Sequence, residues 1–452
     1  TKSEAHSKDK ALVHVGDDAM LTADEALTIR SRMDKPADLK DYNAYAQAIA
    51  GAGGVVSGAV GQAFVDMVQE TKVSIGSSSG MTAKKATIAA EHNDTENVEM
   101  DSVSAGGVSG TGGETKVTVA SDAGVSVGHG STITTAEETA IRAENVTEKA
   151  WRDDSSKKNV SSIGAALASG NGVVNETSIT HVTTVDLDAV TIKANASDLT
   201  VEEKAAGKTL YDKNAIAIDA ASRVISKDRS TLSTGAAVGA AHVKNTNSVA
   251  ATTTAHVGEG SQLLAGETEK AKEKDKTASY TGAAQSPYSS AYKGGSIAVG
   301  TRNDAELASD TLVDVYGAAG YAGSENLVTY TGLANTSFAG SAETAKGDIS
   351  AMAGRDSRGE TGTIRASAHS DILNATAFPI SIKKDPVAKI DSRASLTVDA
   401  AANMRSDRDI HLKAKAGSLT ALGSGEVKDW VNKVAGALEA DGSSIGRKEI
   451  SS

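Results

Sequence analysis

The chain lacks the side chains from which ordinary globular cores are built. Cysteine is absent from its 452 residues, and only 3% of them are aromatic, including 2 Trp and 3 Phe. The absence of cysteine excludes disulfides, thiolate nucleophiles and cysteine–zinc sites. The scarcity of aromatic side chains argues against thick globular cores, since stability grows with the apolar area that a core buries. The apolar residues that remain, mostly Ala, Val, Ile and Leu, suit an elongated core only a few side chains across.

Other absences narrow the possible classes of protein further. Proline occurs only 4 times and alternating Val, Ile and Thr recur, so β-structure is favoured over disorder. The net charge is −12 and no basic stripe occurs, which excludes nucleic acid as the main partner. No apolar run approaches the roughly 18 residues of a membrane span, and no signal peptide is recognisable. The sequence begins with Thr1-Lys2-Ser3-Glu4, in the middle of a pattern and without an initiator Met, and we therefore expect it to be a piece of a longer polypeptide.

A short pattern of alternating residues returns along the chain. Its copies lie at residues 12–29, 73–90, 117–141 and 395–414. Each copy contains two or three very short strands that cannot bury their apolar side chains alone, so the copies must stack. The alternation predicts a set of inward-facing residues: Val13, Val15, Ile29, Val73, Ile75, Ile88, Val117, Val119, Ile133, Ile141, Leu396, Val398 and Leu412.

A second kind of segment, rich in Gly and Ala, also repeats. It occurs at 50–68, 161–168 and 233–240, with a weaker copy at 294–303. Alternating small residues fit a strand that approaches a neighbouring layer closely.

Together these patterns predict an all-β chain that forms a parallel β-solenoid over residues 11–425. With roughly 20 residues per turn and about 4.8 Å per turn, we expect on the order of 15–20 turns and a rod of roughly 70–100 Å. Polar stretches predict loops, and the two ends are expected to differ from the solenoid. The predicted loops are 34–50 (a short helix being the alternative there), 91–101, 144–160, 198–214, 266–293 and 354–362. The predicted end segments are a flexible start at 1–10, an amphipathic helix or cap at 426–440 and a flexible tail at 441–452.

No motif in the sequence predicts chemistry. Residues 205–209 resemble the end of a phosphate-binding loop, but acidic residues stand where its first glycine belongs. The 9 histidines show no metal-ligand spacing; His14, His129 and His411 are expected to face solvent. Asp399, Asp407 and Asp409 are the best candidates for paired carboxylates on adjacent turns. Polysaccharide grooves also carry aromatic platforms, which are scarce here, so we predict no enzyme, no catalytic residues, no cofactor and no metal.

Two of these patterns resemble a known family. Residues 395–400 (SLTVDA) followed by 409–414 (DIHLKA) resemble the repeats of filamentous haemagglutinin-like adhesins. The Gly-Ala-Ala…Val-x-Asn segments at 164–175 and 235–245 resemble leukotoxin-type filamentous exoproteins of bacteria. The resemblance implies a right-handed parallel β-helix, secretion through an outer-membrane partner of the two-partner type, and a role in adhesion or biofilm. The secretion domain of that family is not visible here.

The function that the sequence predicts is structural. We expect an extracellular or cell-surface segment that acts as an elongated rod for attachment or for matrix and filament formation. The expected partners are further copies of the chain, stacked end to end or side by side, and a glycan or protein of a host or cell surface. The alternative is a phage tail-spike-like or lyase-like enzyme that acts on polysaccharides.

Overall fold

The protein is built almost wholly from β-strands, several of them very long. A computed structural model describes residues 1–35, 42–149, 158–196, 200–207, 212–266, 294–344, 347–429 and 444–448. The first sheet has 14 strands: β1 (Lys2–Val15), β3 (Ala26–Met33), β4 (Ala44–Ile75), β6 (Lys85–Val127), β8 (Thr139–Lys149), β9 (Val160–Leu187), β11 (Asn214–Val257), β13 (Ser296–Phe338), β15 (Ile349–Ala353), β16 (Thr363–Lys383), β17 (Val387–Val398), β19 (Ile410–Ala414), β20 (Ser418–Asp429) and β21 (Ser444–Lys448).

A second sheet consists of 7 strands of three or four residues. They are β2 (Met20–Thr22), β5 (Gly80–Ala83), β7 (Thr132–Thr135), β10 (Thr191–Ala194), β12 (Gln262–Ala265), β14 (Ser341–Thr344) and β18 (Asn403–Ser406), and they pair in chain order. Within the described residues every pairing between named strands is parallel except that of β20 with β21. The chain is therefore all-β and mostly parallel, as the sequence predicts.

The chain passes repeatedly through the two sheets, and each pass pairs in register with the next. One column of paired residues shows this: Val15, Ile75, Val127, Leu187, Val257, Phe338 and Val398. A pass thus takes from 52 residues (Ile75 to Val127) to 81 residues (Val257 to Phe338). The prediction of about 20 residues per turn is wrong. Six steps of about 4.8 Å make this column about 29 Å long, not 70–100 Å.

A pass is long because its main strand runs outward, reverses and returns. In β6 the outgoing limb is 85–104 and the returning limb 108–127. The two limbs face each other: Ser162 Oγ on an outgoing limb donates to Thr111 Oγ1 on a returning limb at 2.6 Å. Ser121 Oγ on a returning limb likewise donates to Asn145 Oδ1 on an outgoing one at 2.8 Å. The short strands of the second sheet close the base of each pass.

The space between the limbs holds two apolar clusters. The base core lies beside the short strands and includes Ile75, Ile88 and Ile133. The outer core lies farther along the limbs and includes Met67, Val119 and Tyr330. Buried polar residues separate the two clusters along the limbs. The core is thin because each pass contributes few side chains at each position, as the composition predicts.

The predicted inward positions are confirmed through most of the stack. Ile29, Val73, Ile75, Ile88, Val117, Val119, Ile133 and Ile141 are buried, and Val13 and Val15 pack against the base core. Leu396 is half-buried. Val398 and Leu412 are 41% and 50% exposed, so their predicted burial is wrong. Both lie in inward columns, after Phe338 and Ala351, but no described strand pairs beyond them.

Several predicted loops and ends are strands. Residues 2–10, expected to be flexible, belong to β1 and pair with β4. Residues 44–50 of the predicted loop 34–50 begin β4, and 36–41 lie outside the described residues. The stretch 91–101 is inside β6 and largely buried. Residues 144–149 of the predicted loop 144–160 end β8, while 150–157 lie outside the description. Polar composition gave wrong loop predictions for these stretches because the interior of the protein is itself partly polar.

The remaining insertions and the C-terminal segment have mixed outcomes. Within the predicted loop 198–214, α1 (Val201–Ala205) is a single helical turn, capped by Thr200 and Glu203. The stretch 354–362 is a loop, as predicted, whereas 267–293 lies outside the described residues. For the helix predicted at 426–440, residues 426–429 are strand and 430–440 lie outside the description. In the predicted flexible tail, Ser444–Lys448 pairs antiparallel with β20.

Candidate functional site: an apolar edge of the stack

The points at which the long strands reverse lie above one another and form one edge of the stack. The pairing register aligns six segments there: 53–60, 105–112, 165–172, 235–242, 316–323 and 375–382. These segments include most of the Gly/Ala-rich repeats of the sequence. The weaker copy at 294–303 does not belong to this edge; it lies at the start of β13.

Close approach between passes explains the glycines at the reversal. A Cβ atom on Gly106 would overlap the carbonyl oxygen of Gly54, and one on Gly317 would overlap that of Ala236. Gly54 and Gly317 also have φ values of +144° and +151°, a region that L side chains rarely adopt. Any larger residue at these positions would push the passes apart. The glycines therefore determine where each strand can reverse.

The six segments contain no charged side chain. Asp, Glu, Lys and Arg are absent from all of them, although these residues make up 23% of the chain; His242 is the only titratable side chain apart from two tyrosines. Their outward side chains are apolar and exposed. The most exposed are Val55 (84%), Val56 (77%), Phe378 (74%), Leu167 (72%), Val60 (60%), Val238 (60%) and Ile380 (60%), followed by Val108 and Ile382 (both 53%). We call the six aligned segments the apolar edge.

A shallow groove runs along the apolar edge, parallel to the stack. Its volume is about 670 Å³, and its walls include Val108, Ala168, Val238, Ala319 and Phe378. Valines alternate with alanines in successive passes, and Phe378 closes one end. Because the residues on either side in sequence are mainly Gly, Ala and Ser, the groove offers apolar contact and few polar groups.

The backbone of the edge is already paired on both sides in its four inner segments. In β6, β9, β11 and β13 the strands pair with a neighbour on both sides through the edge, and the register skips only one apex residue in each pass. Among the described residues, the two end segments, 53–60 and 375–382, pair on one side only and leave a free ladder of N–H and C=O groups. Along the four inner segments, binding has to come from side-chain contact.

A second unusual feature, which we call the polar belt, lies between the base core and the outer core. It consists of six buried residues: His92, Asp94, Glu96, Lys149, His181 and Asp228. Lys149 and Asp228 form an ion pair that is shut off from solvent. His92 Nε2 lies 3.1 Å from Asp94 Oδ2. Both carboxylate oxygens of Glu96 are buried and have no hydrogen-bond partner in the described part of the chain.

Burial shifts the pKa of two residues of the belt, Glu96 and His181. Desolvation, together with the nearby Asp94 carboxylate, raises the pKa of Glu96 well above its usual range. Desolvation lowers the pKa of His181 from 6.5 to about 3. His181 is held by Ser222 Oγ and Thr147 Oγ1, each 2.8 Å from a ring nitrogen. The belt is sealed from solvent, so access for a substrate would require the limbs to open.

The polar belt was not predicted from the sequence, because its charged stretch has the composition of a solvated loop. The alternation of titratable with uncharged residues from His92 to Glu96 could have indicated a strand with one buried face. The cation that belongs to the belt, Lys149, lies 53 residues after Glu96, so no local pattern links the two. The sequence also missed the apolar edge as a surface. The absence of charge in the Gly/Ala-rich repeats was the signal that could have identified it.

The predicted carboxylate candidates are not all brought together. Among the described residues, the group of acidic and histidine side chains close enough to hold a metal ion is Asp348, Asp409 and His411, whose ligand atoms lie within 4.8 Å of one another. Asp399 and Asp407 are not in that group. Asp399 Oδ1 instead accepts from the backbone N–H of Ala400 at 2.6 Å.

The environment of that group argues against a built metal site. Asp409 is exposed, and Asp348 is already engaged, with Arg408 Nε 3.6 Å from its Oδ1. The two tryptophans, Trp151 and Trp430, lie outside the described residues, so their relation to this group stays untested. His14 and His129 are exposed, as predicted, and His411 is about one-third exposed.

Comparison with family models, with curated proteins and with solved structures finds no match to this chain. Among the described residues, no helix is long and apolar enough to cross a membrane. The features of the chain that bear on function are therefore the geometry of the stack and of its apolar edge.

Proposed function

We propose that the chain is a structural and adhesive segment of a bacterial cell-surface or secreted filamentous protein, and that its passes wind as a right-handed parallel β-helix. Right-handed crossovers between parallel strands are favoured because they match the twist of the strands. The in-register pairing of successive passes supports a repeating scaffold. In this proposal the apolar edge is the surface that makes contact with the target.

The observation that carries the proposal is the alignment of six uncharged segments on one exposed edge. Scattered surface valines are ordinary in soluble proteins, but a continuous apolar strip indicates an interaction site. Here the strip repeats once in each pass, although the passes differ in length by up to 29 residues (52 against 81). The insertions fall elsewhere in the pass, and so the contact surface is kept continuous.

Secretion through an outer-membrane partner, an extracellular location and binding to a host or cell-surface glycan or protein belong to the same proposal. Self-association also belongs to it. At the last described pass, Val398 and Leu412 leave inward columns exposed. A further pass, supplied by a longer polypeptide or by a second copy, would bury them.

Binding of the fluorescently labelled chain to intact cells tests the proposal. The edge variant Val56→Ser/Val238→Ser removes two exposed apolar side chains from the edge. The control variant Val68→Ser/Val182→Ser makes the same change at two valines, 47% and 40% exposed, on the returning limbs. We expect the edge variant to lose binding and the control to keep it. Equal binding by both variants would contradict the proposal.

The enzyme alternative has one observation in its favour, the group of Asp348, Asp409 and His411. A polysaccharide-acting enzyme would release reducing ends from host or bacterial glycans, and Asp409→Asn would abolish the release. We expect no release by the unmodified chain. Release that depends on Asp409 would replace the structural proposal with the enzymatic one.

A further inference from the structure

We infer that the apolar edge binds the hydrocarbon region of a lipid surface. This inference rests on the proposed function and deepens it, since it names the chemical class of the target. Two properties of the edge favour hydrocarbon over a protein or a glycan: its few polar recognition groups and its small area. The charge of the chain then specifies the kind of lipid.

The chemistry of the edge favours an apolar target. Its six segments contain no charged residue, and in the inner passes the backbone is paired on both sides. A glycan presents hydroxyl groups, most of which would lose hydrogen bonds to water, because the exposed donors and acceptors of the edge are few, Tyr316 among them. Hydrocarbon has no such requirement.

The area of the edge favours a lipid surface over a protein partner. Six passes span five steps, about 24 Å, and five residues of strand give a width of about 16 Å, so the strip covers about 400 Å². A stable protein interface needs about 800 Å² on each partner. A second copy seated only on this edge would therefore bind weakly, whereas hydrocarbon deforms around a narrow edge and covers its sides as well.

The charge of the chain specifies which lipid surface is favoured. The net charge is −12, and no cation stands within the edge to offset it. Anionic headgroups would repel the chain, so apolar insertion has to act alone. We therefore expect binding to zwitterionic vesicles, with no gain when anionic lipid is added and little change with salt.

Flotation with phosphatidylcholine vesicles tests the inference, using the unmodified chain, the edge variant Val56→Ser/Val238→Ser and the control variant Val68→Ser/Val182→Ser. We expect the unmodified chain and the control to float. We expect the edge variant to partition about tenfold more weakly, because two valines no longer transfer to hydrocarbon. Thermal unfolding of all three must coincide, since every substitution is at an exposed side chain.

Three outcomes would overturn the inference: no flotation of the unmodified chain, equal flotation of the edge variant, or flotation that requires phosphatidylglycerol and is lost in salt. Analytical ultracentrifugation adds a fourth, an edge-dependent dimer without flotation, which would make a second copy the occupant. If cell binding depends on the edge while vesicles are not bound, the proposed function stands and the lipid target is wrong. If neither cells nor vesicles are bound, both proposals fail.

Discussion

Acid should weaken the fold through His181, and the substitution His181→Gln should remove that part of the weakening. The imidazole is fully buried between Ser222 and Thr147. Its pKa falls from 6.5 in the unfolded chain to about 3 in the folded one, mainly through desolvation. Above pH 6.5 the ring is neutral in both states, so its contribution is fully present. As the pH falls towards 3, the imidazole is protonated in the unfolded chain but stays neutral in the folded one, so the free energy of unfolding decreases.

The magnitude follows from the two pKa values. Between about pH 7.5 and about pH 5 the loss amounts to about 2 kcal/mol, since the unfolded imidazole becomes almost wholly protonated while the folded one stays neutral. Glu96 works in the opposite direction, because its raised pKa makes the folded chain bind a proton first. The difference between the unmodified chain and the variant isolates the histidine from this effect.

Urea unfolding of both proteins at the two pH values measures that difference. Glutamine can keep one hydrogen bond to each hydroxyl partner, so the variant should fold at neutral pH. We expect the unmodified chain to lose about 2 kcal/mol more than His181→Gln on acidification. A stack of repeats can lose structure locally, so amide hydrogen exchange near residues 177–185 provides a second readout. Identical pH dependence in the two proteins would refute the reasoning.

The remaining predictions concern packing in the stack, and thermal or urea unfolding checks each of them. Ile141→Ala should cost about 2–5 kcal/mol because the side chain is fully buried, whereas Leu412→Ala in the same inward column, 50% exposed, should cost under about 1 kcal/mol. Equal costs would mean that the register is wrong. Gly106→Ala should cost about 1–3 kcal/mol through overlap with the adjacent pass, while Gly170→Ala, which meets no atom within 4 Å, should be nearly neutral. A neutral Gly106→Ala would show that the passes are not in close contact at the edge. Lys149→Met should cost about 3–5 kcal/mol because it leaves a buried carboxylate unpaired; a smaller loss would show that water reaches the belt.

The parallel β-structure and the inward positions could be predicted from sequence because both follow from local alternation. Ile88 and Ile141 recur at the same place in similar short patterns, and each pattern needs a neighbour to bury it. The pass length could not be predicted in this way. The alternating repeat and the Gly/Ala-rich repeat are two parts of one pass, and nothing local shows that a strand such as β6 continues through both for 43 residues.

The polar belt shows why polar composition failed as a loop signal. Glu96 and Lys149 occupy paired positions on adjacent passes, and Asp228 completes the ion pair from a third. Each residue alone is typical of a solvated segment. Only the register, set by residues far away in sequence, places them in the interior, where pairing offsets part of the cost of burial.

One of the two properties of the apolar edge could be predicted from the sequence. The Gly/Ala-rich repeats predicted close approach between layers, and Gly106 confirms it. The exposed apolar face on the other side of the same segments was not predicted, because whether Val56 or Val238 points outward depends on where the strand reverses.

Oxidative footprinting of side chains on the chain bound to target cells tests the central claim most directly. Leu167 and Phe378 are 72% and 74% exposed on the edge, and Leu12, 58% exposed, lies away from it on β1. If the edge is the contact surface, oxidation of Leu167 and Phe378 falls on binding while that of Leu12 is unchanged. Unchanged oxidation at the two edge residues, with the chain demonstrably bound, would contradict the account.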